Sequence, residues 1–422
     1  MKTFALILFV IMYILMIVKP KYRPIYALAV AVIYLATGVL PIRALLSTIN
    51  WNVLLMIAGT MVIVYFFIES QMPNLMADVL LEKSKNVMWV TIYMSLFAGV
   101  ISAFIDNVAT VLMVAPVGLA VCKKLNIKPV GMILSIAVSS NLQGAATLVG
   151  DTTSIMLGDY ANMNFMNFFW MLGKPGIFFA VELGALATVP IMMILFKDCK
   201  EPVESVGRTE VKNYIPTALL LLMVAALIVA SFVPDIPSVT YGLICCVIAV
   251  ISICFDIILN GSKDGMKSAV KNLDYETLGL LLGLFIVIGG ITEVGVIDDM
   301  AAGITRLGGN NLFLLYSIVV WGSVLISAFV DNIPYVATML PVLTAVSGAL
   351  GLEPYLLYFG LLSGATLGGN ITPIGASANI TAVGLLRKEG YEVSFKEFMK
   401  IGVPYTLTAV CVGYLYFWLI WR

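Results

Sequence analysis

Apolar runs of membrane-spanning length recur along this chain from Phe4 to Trp421, and this limits the possible fold more than any other feature. So many runs exclude a single signal peptide or one anchor on a soluble domain. The 422 residues are 61% hydrophobic and 11% charged, where soluble domains carry roughly 25% charged residues. The expectation is an all-α polytopic membrane protein. Candidate spans are 3–18, 25–40, 51–69, 176–196, 215–233, 238–258, 274–292 and 402–421. The longest polar stretch, 197–214, is too short to fold alone and reads as a linker between halves. Net charge is zero, which offers nothing for nucleic acid. The six cysteines lack CxxC spacing and the chain has no histidine, which argues against zinc or Cys-His chemistry; cysteines in apolar runs act as small hydrophobes.

Two apolar segments, 87–122 and 311–350, are interrupted in the middle by Asp106-Asn107 and Asp331-Asn332. A shift of 225 residues lays Ser102–Val117 on Ser327–Val342 with eight of sixteen identities. Without a gap, the same shift lays Gly144–Ile155 on Gly369–Ile380, pairing Thr147 with Thr372 and Gly150 with Gly375. Upstream, a shift of 224 pairs Trp51 with Tyr275, Gly59 with Gly283 and Glu69 with Glu293. Each half is therefore one structural unit. The first, 1–196, would carry a hairpin around 87–122 and a broken helix around 129–160. The second, 215–422, would carry a hairpin around 311–350 and a broken helix around 354–386.

Lysine and arginine test the topology, because they accumulate on the cytoplasmic side of short loops. If each interrupted run enters and leaves on one face, 19 of the 24 basic residues fall inside, including the 19–23 cluster and the 197–214 linker. Lys2, Arg43, Lys174, Arg306 and Arg422 remain outside. This puts the N-terminus outside and turns the two halves over relative to each other. Charge alone does not separate a re-entrant hairpin from two full spans. Length favours the hairpin, since 108–122 would reach only about 22 Å against a core of roughly 30 Å. Inverted repeats with interrupted helices are the pattern of alternating-access carriers, whose sites lie near the midplane at the repeat interface.

Ser327-Ala-Phe-Val-Asp-Asn-Ile-Pro334 and Gly368-Gly-Asn-Ile-Thr-Pro-Ile-Gly-Ala-Ser-Ala-Asn379 resemble signatures of the ion transporter superfamily. The branch is the one holding arsenite efflux permeases, the melanosomal P protein and NhaD-type sodium/proton antiporters. The resemblance implies an elevator-type carrier of two re-entrant hairpins and two broken helices beside a scaffold, a homodimer in the cell membrane. In dicarboxylate and citrate relatives the hairpin tips read Ser-Asn-Thr, whereas both tips here read Asp-Asn, so that substrate class ranks lower. Gly150-Asp-Thr-Thr-Ser154 also departs from the family's Gly-Asp-Pro-Pro-Asn.

The expected substrate and ion site comprises Asp106, Asn107, Thr110, Thr147, Gly150 and Asp151 from the first half. Asp331, Asn332, Asn370, Thr372, Gly375, Ser377 and Asn379 come from the second. Sodium seats fall at Asp106, Asn107 and Gly150, and at Asp331, Asn332 and Gly375. Aspartates at membrane depth cost roughly 2.5 to 3.5 kcal/mol and are functional by default, which makes Asp106, Asp331 and Asp151 proton-coupling candidates. The alternative is that each simply caps the helix after its break. Glu182 is a further candidate, or faces headgroups. With no Lys, Arg or His in these segments, the site would repel a bare anion and accept a cation, a proton or neutral arsenous acid. The expected function is a proton- or sodium-coupled secondary transporter of a small ion, arsenite-efflux or P-protein-like. A sodium/proton antiporter is the alternative, with a citrate carrier or channel behind it. No cofactor is expected beyond sodium as coupling ion. An intramembrane enzyme lacks its catalytic groups, and a primary pump its P-loop.

Overall fold

The computed structural model describes every residue except 126, 203–207, 238 and 310. Twenty helices carry the described chain. The first half opens with α1 (Lys2–Val18), α2 (Arg23–Thr37), α3 (Leu45–Thr48), α4 (Trp51–Glu69) and α5 (Met72–Glu82). The first interrupted run follows as α6 (Val87–Ser102) and α7 (Asn107–Lys124), then α8 (Val130–Gly144), α9 (Thr152–Tyr160) and α10 (Ile177–Leu195). Between α9 and α10 a small antiparallel hairpin pairs β1 (Trp170–Met171) with β2 (Lys174–Pro175). The second half runs α11 (Ile215–Ala230), α12 (Thr240–Asn260), α13 (Asp264–Lys271), α14 (Tyr275–Glu293) and α15 (Val296–Gly308). It closes with α16 (Leu312–Ser327), α17 (Asn332–Leu350), α18 (Tyr355–Gly368), α19 (Ser377–Lys388) and α20 (Phe395–Trp421).

Local chemistry sets these boundaries. Asn50, Asn86, Asp274 and Asn311 stand just before α4, α6, α14 and α16, each accepting the backbone N–H three residues later, at Val53, Trp89, Thr277 and Leu314. Gly38 ends α2 in the left-handed region at φ 74°, which only glycine adopts without cost. The expected spans reappear within a few residues, except that α20 begins at Phe395, seven residues before the expected 402. Its Pro404 sits inside the helix. The sequence reading has no place for α5, α13 or α15, which carry charges along apolar faces and so escape a search for uninterrupted apolar runs.

Among the described residues seven helices are long and apolar enough to cross a membrane, or eight if α15 and α16, bent by 119°, form one span. The protein is a polytopic helical membrane protein. Both α7 and α17 are in that set, at 18 and 19 residues. At 1.5 Å per residue they reach about 27 and 28 Å, close to the roughly 30 Å core, so length does not separate a hairpin from two full spans. The turn between α6 and α7 packs against the rest of the protein through Ala103 and Ile105, which are buried.

The halves interlock. The α4–α12 and α2–α14 crossings are both glycine-lined: a Cβ on Gly59 would lie 2.6 Å from the Cys245 carbonyl carbon, and one on Gly283 would lie 2.7 Å from that of Ala27. Small residues let helix backbones approach closely where water supplies no driving force. The described part of the linker packs on the first half. Arg208 donates to both Glu82 carboxylate oxygens at 2.9 and 2.8 Å, which holds that carboxyl below its usual range, and Thr209 binds Asp78.

Candidate functional site

The α6–α7 and α16–α17 turns rest on the chain between α8 and α9 and between α18 and α19 through the same set of contacts, 225 residues apart. Thr147 Oγ1 donates to the Ala103 carbonyl, and Thr372 Oγ1 to that of Ala328. A Cβ on Gly150 would lie 2.5 Å from the Ser102 carbonyl oxygen and 2.7 Å from that of Ala103. On Gly375 it would lie 2.8 Å from the carbonyl oxygens of both Ser327 and Ala328. Only glycine fits at either place. The two threonines thus hold turn to break with their hydroxyls.

From these turns the polar side chains converge. Asn107 Nδ2 donates to Asn141 Oδ1 at 2.9 Å, and Asn141 Nδ2 donates to Asn370 Oδ1 at 2.7 Å and Asn379 Oδ1 at 2.9 Å. Asn370 in turn donates to the Val138 carbonyl. On the other side Asn332 Nδ2 donates to Asp151 Oδ2 at 3.4 Å, and Thr153 donates to the same oxygen at 2.8 Å while meeting Thr366 at 3.2 Å. Asp151 also lies within electrostatic reach of Asp106 and Asp331. One buried polar centre therefore draws on both turns and both breaks.

The aspartates differ despite their matching motifs. Asp106 caps α7, accepting from Val108 N at 3.0 Å and Ala109 N at 3.2 Å, and is half-buried. Asp331 caps α17 through Oδ1 and Ile333 N, while Oδ2 accepts from Ser377 at 3.0 Å and from Arg23 Nη1 at 2.7 Å. Arg23 is 7% exposed and Asp331 2%. This corrects the expectation of a site without fixed positive charge, and it withdraws Arg23 from the basic cluster counted at the aqueous face. Asp151 does not cap α9 by its side chain. Thr110 is buried and turns its hydroxyl back to the Ile105 carbonyl at 3.4 Å. Glu182, half-buried on α10, lies within electrostatic reach of Tyr405.

Asn141, Thr153, Thr366 and Arg23 escape the sequence reading. Asn141 leaves a trace, since Ser139-Ser-Asn-Leu-Gln143 is a polar stretch in a helix buried on every side. Arg23 leaves none, as its partner is 308 residues away.

Two cavities flank α9. One, of about 840 Å³, is lined by Asn52, Asp159, Asn164, Asp235 and Tyr241 among others; the second, of about 380 Å³, by Asn50, Tyr160, Thr292 and Glu293 among others. Asp159 stands between them, accepting from Asn50 and, at 2.7 Å, from Asn52. Their linings carry carboxylates and no lysine or arginine. Among the described residues no group of three or more His, Cys, Asp or Glu side chains is gathered as for a tightly held metal.

A helical membrane protein that buries broken helices around a pooled polar centre is, as a class, a transporter. Comparison with known proteins gives the family. The chain belongs to the citrate transporter family, matched over residues 13–362. An uncharacterized transporter of Mycobacterium tuberculosis is 30% identical over 374 residues, 88% of this chain and 86% of that one. Human P protein is 26% identical over 451 residues, covering 87% of this chain and 53% of P protein, so the chain spans about half of that relative. These matches bear out the resemblance drawn from the Asp331 and Gly375 motifs. Among solved structures, the Alcanivorax borkumensis YdaH transporter shares the fold at a TM-score of 0.60 and 14% identity, over 89% of this chain and 87% of that one. Neisseria gonorrhoeae MtrF, described as an antimetabolite efflux pump, does so at 0.53 and 13%, over 87% and 80%.

Proposed function

We infer that this chain is a cation-coupled secondary transporter of a small ion. Its two inverted repeats, 1–196 and 215–422, are joined by a cytoplasmic linker, 197–214, and it works as an elevator-type homodimer in the cell membrane with its N-terminus outside. One observation carries the reading: both Asp-Asn turns and both glycine breaks feed a single buried centre, through Asn107–Asn141–Asn370 and Asn332–Asp151. Spanning helices gain nothing structural from such breaks, whereas an ion needs the carbonyls and side chains they free. Asp106 and Asp151 are the proton- or sodium-binding groups, with Asn107, Gly150, Asn332, Asn370, Gly375, Ser377 and Asn379 as ligands or spacers around them. Proton and sodium compete for the same carboxylates, and the solute crosses with them or in exchange.

Arsenite-type efflux and P-protein-like ion transport fit a centre with more acid than base. Sodium/proton antiport is the alternative, favoured by the two flanking cavities whose linings bear carboxylates but no basic residue. The family's description names citrate. A trianion would need co-bound cations here, although Arg23 offsets one carboxylate. A thermal-shift screen of the purified protein against sodium, lithium, arsenite, antimonite, citrate and dicarboxylates at two pH values tests the reading, because a ligand that binds the native state stabilises it. The expected result is stabilisation by a monovalent cation or by protons together with one solute, lost in Asp106→Asn. Indifference to every cation and to pH would overturn it.

A further inference from the structure

We propose that Arg23 is a tethered cation: it occupies, within the protein, the cation seat at Asp331, so that only the Asp106 half of the site takes a free monovalent cation. The inference deepens the reading of the two Asp-Asn turns as equivalent ion seats and rests on it.

The equivalence of surroundings makes the difference informative. Both turns carry Asp-Asn, both are stitched to their breaks by a threonine hydroxyl, and both press on a glycine. Asp331 nevertheless has a guanidinium at 2.7 Å, with both side chains at least nine-tenths buried, whereas among the described residues no ion pair involves Asp106. The interlocked crossings show what stands at the corresponding place. Gly283 meets Ala27 and Gly59 meets Cys245, an offset of 218 residues between the partners, which carries Arg23 onto Tyr241, a neutral residue. The arginine is thus an addition to one half.

It is also a built one. Arg23 Nε faces the Met16 carbonyl at 3.5 Å, at the end of α1, and Tyr13 of that helix donates to the Pro334 carbonyl at 2.6 Å and meets Thr338 at 2.6 Å. The α1–α2 corner is therefore fastened to α17, and the arginine is delivered to the carboxylate by that packing. A buried carboxylate in a polar site demands a counter-charge, and a guanidinium that never deprotonates supplies one permanently. A mobile ion then has no place there, and each transport cycle loses one exchangeable cation relative to a symmetric site.

The test is a sodium titration of the melting temperature of the full-length purified protein at alkaline pH, with choline chloride holding ionic strength constant. Arg23→Gln should gain a sodium-dependent rise of about 2 °C or more beyond that of wild type. Arg23→Lys, which keeps a tethered charge, and Arg23→Gln combined with Asp331→Asn, which removes the carboxylate, should gain none. The proposal is overturned if Arg23→Gln keeps the wild-type sodium dependence, or if the double variant shows the same gain. If Arg23→Gln does not survive purification in choline, monodisperse yield decides instead: sodium restores it if the arginine stands in for a cation, and does not if it only packs. Failure of the underlying reading has a separate sign, a wild-type cation response that Asp106→Asn leaves intact, and the comparison among Arg23 variants is read independently of it.

Discussion

Asp106 and Asp331 stand in the same Ser-Ala-Phe-X-Asp-Asn pattern and are legible together in the sequence, yet substitution should separate them. Asparagine caps a helix about as well as aspartate, so Asp106→Asn should cost under about 1 kcal/mol of stability. Asp331→Asn leaves Arg23 buried without its anion, and breaking a buried pair from one side costs about 3 to 5 kcal/mol. A drop in melting temperature several-fold larger for Asp331→Asn than for Asp106→Asn is therefore expected, with partial recovery when Arg23→Gln is added. Equal small drops would show that the pair is not held as described. From the sequence alone both variants are expected to stay folded, because Arg23 reads there as one of several basic residues near an aqueous face. A residue's charge is visible in a sequence; a partner 308 positions away is not. Asn141 shows the same limit in milder form. Its amide serves Asn107, Asn370 and Asn379 at once, so Asn141→Ala should cost about 1 to 3 kcal/mol by leaving buried amides unpaired, read as a loss of thermal stability.

At the scale of elements, the turn-on-break arrangement makes a sharp contrast among glycines. Gly150→Ala and Gly375→Ala put a methyl within 2.8 Å of carbonyl oxygens on two sides, so turn and break must separate. A cost of about 1 to 3 kcal/mol is expected, with loss of transport. Gly384→Ala within α19 meets nothing within 4 Å and should be neutral or stabilising by up to about 1 kcal/mol. Melting temperatures of the three variants check this, and a loss at position 384 as large as at 150 would contradict it. The 225-residue shift made the paired turns and breaks legible, since each turn-break contact recurs at that shift. The long apolar helices are legible from apolar length alone, whereas the charged α5, α13 and α15 are not. Length does not decide between hairpin and full span, because α7 and α17 run on to Lys124 and Leu350. The stripe Gly360, Gly364 and Gly368, against which Tyr316, Val320 and Val324 of α16 pack, stands in the sequence at every fourth residue but does not by itself say which helix it meets.

For the molecule as a whole, the decisive feature is that each half is packed through the other. Helix α2 crosses α14, α4 crosses α12, and the polar centre takes side chains from both turns and both breaks. Residues 1–196 expressed alone should therefore fail to give a monodisperse protein, whereas the two halves produced together from a chain cut in the 197–214 linker should co-purify. A stable first half alone would contradict the interlock. The inverted orientation proposed for the halves rests on the charge count, not on packing, and it requires an impermeant maleimide to react from the cytoplasmic side with a cysteine in the linker. The central claim is that the buried acids at the shared centre couple a cation to transport. Its most direct test is cation-gradient-driven flux in proteoliposomes, using the solute that stabilises the wild-type protein, for wild type and Asp106→Asn side by side. Asp106→Asn should melt within about 2 °C of wild type while gradient-driven flux falls to background. Wild-type flux in Asp106→Asn at that same melting temperature would contradict it and reduce Asp106 to a helix cap.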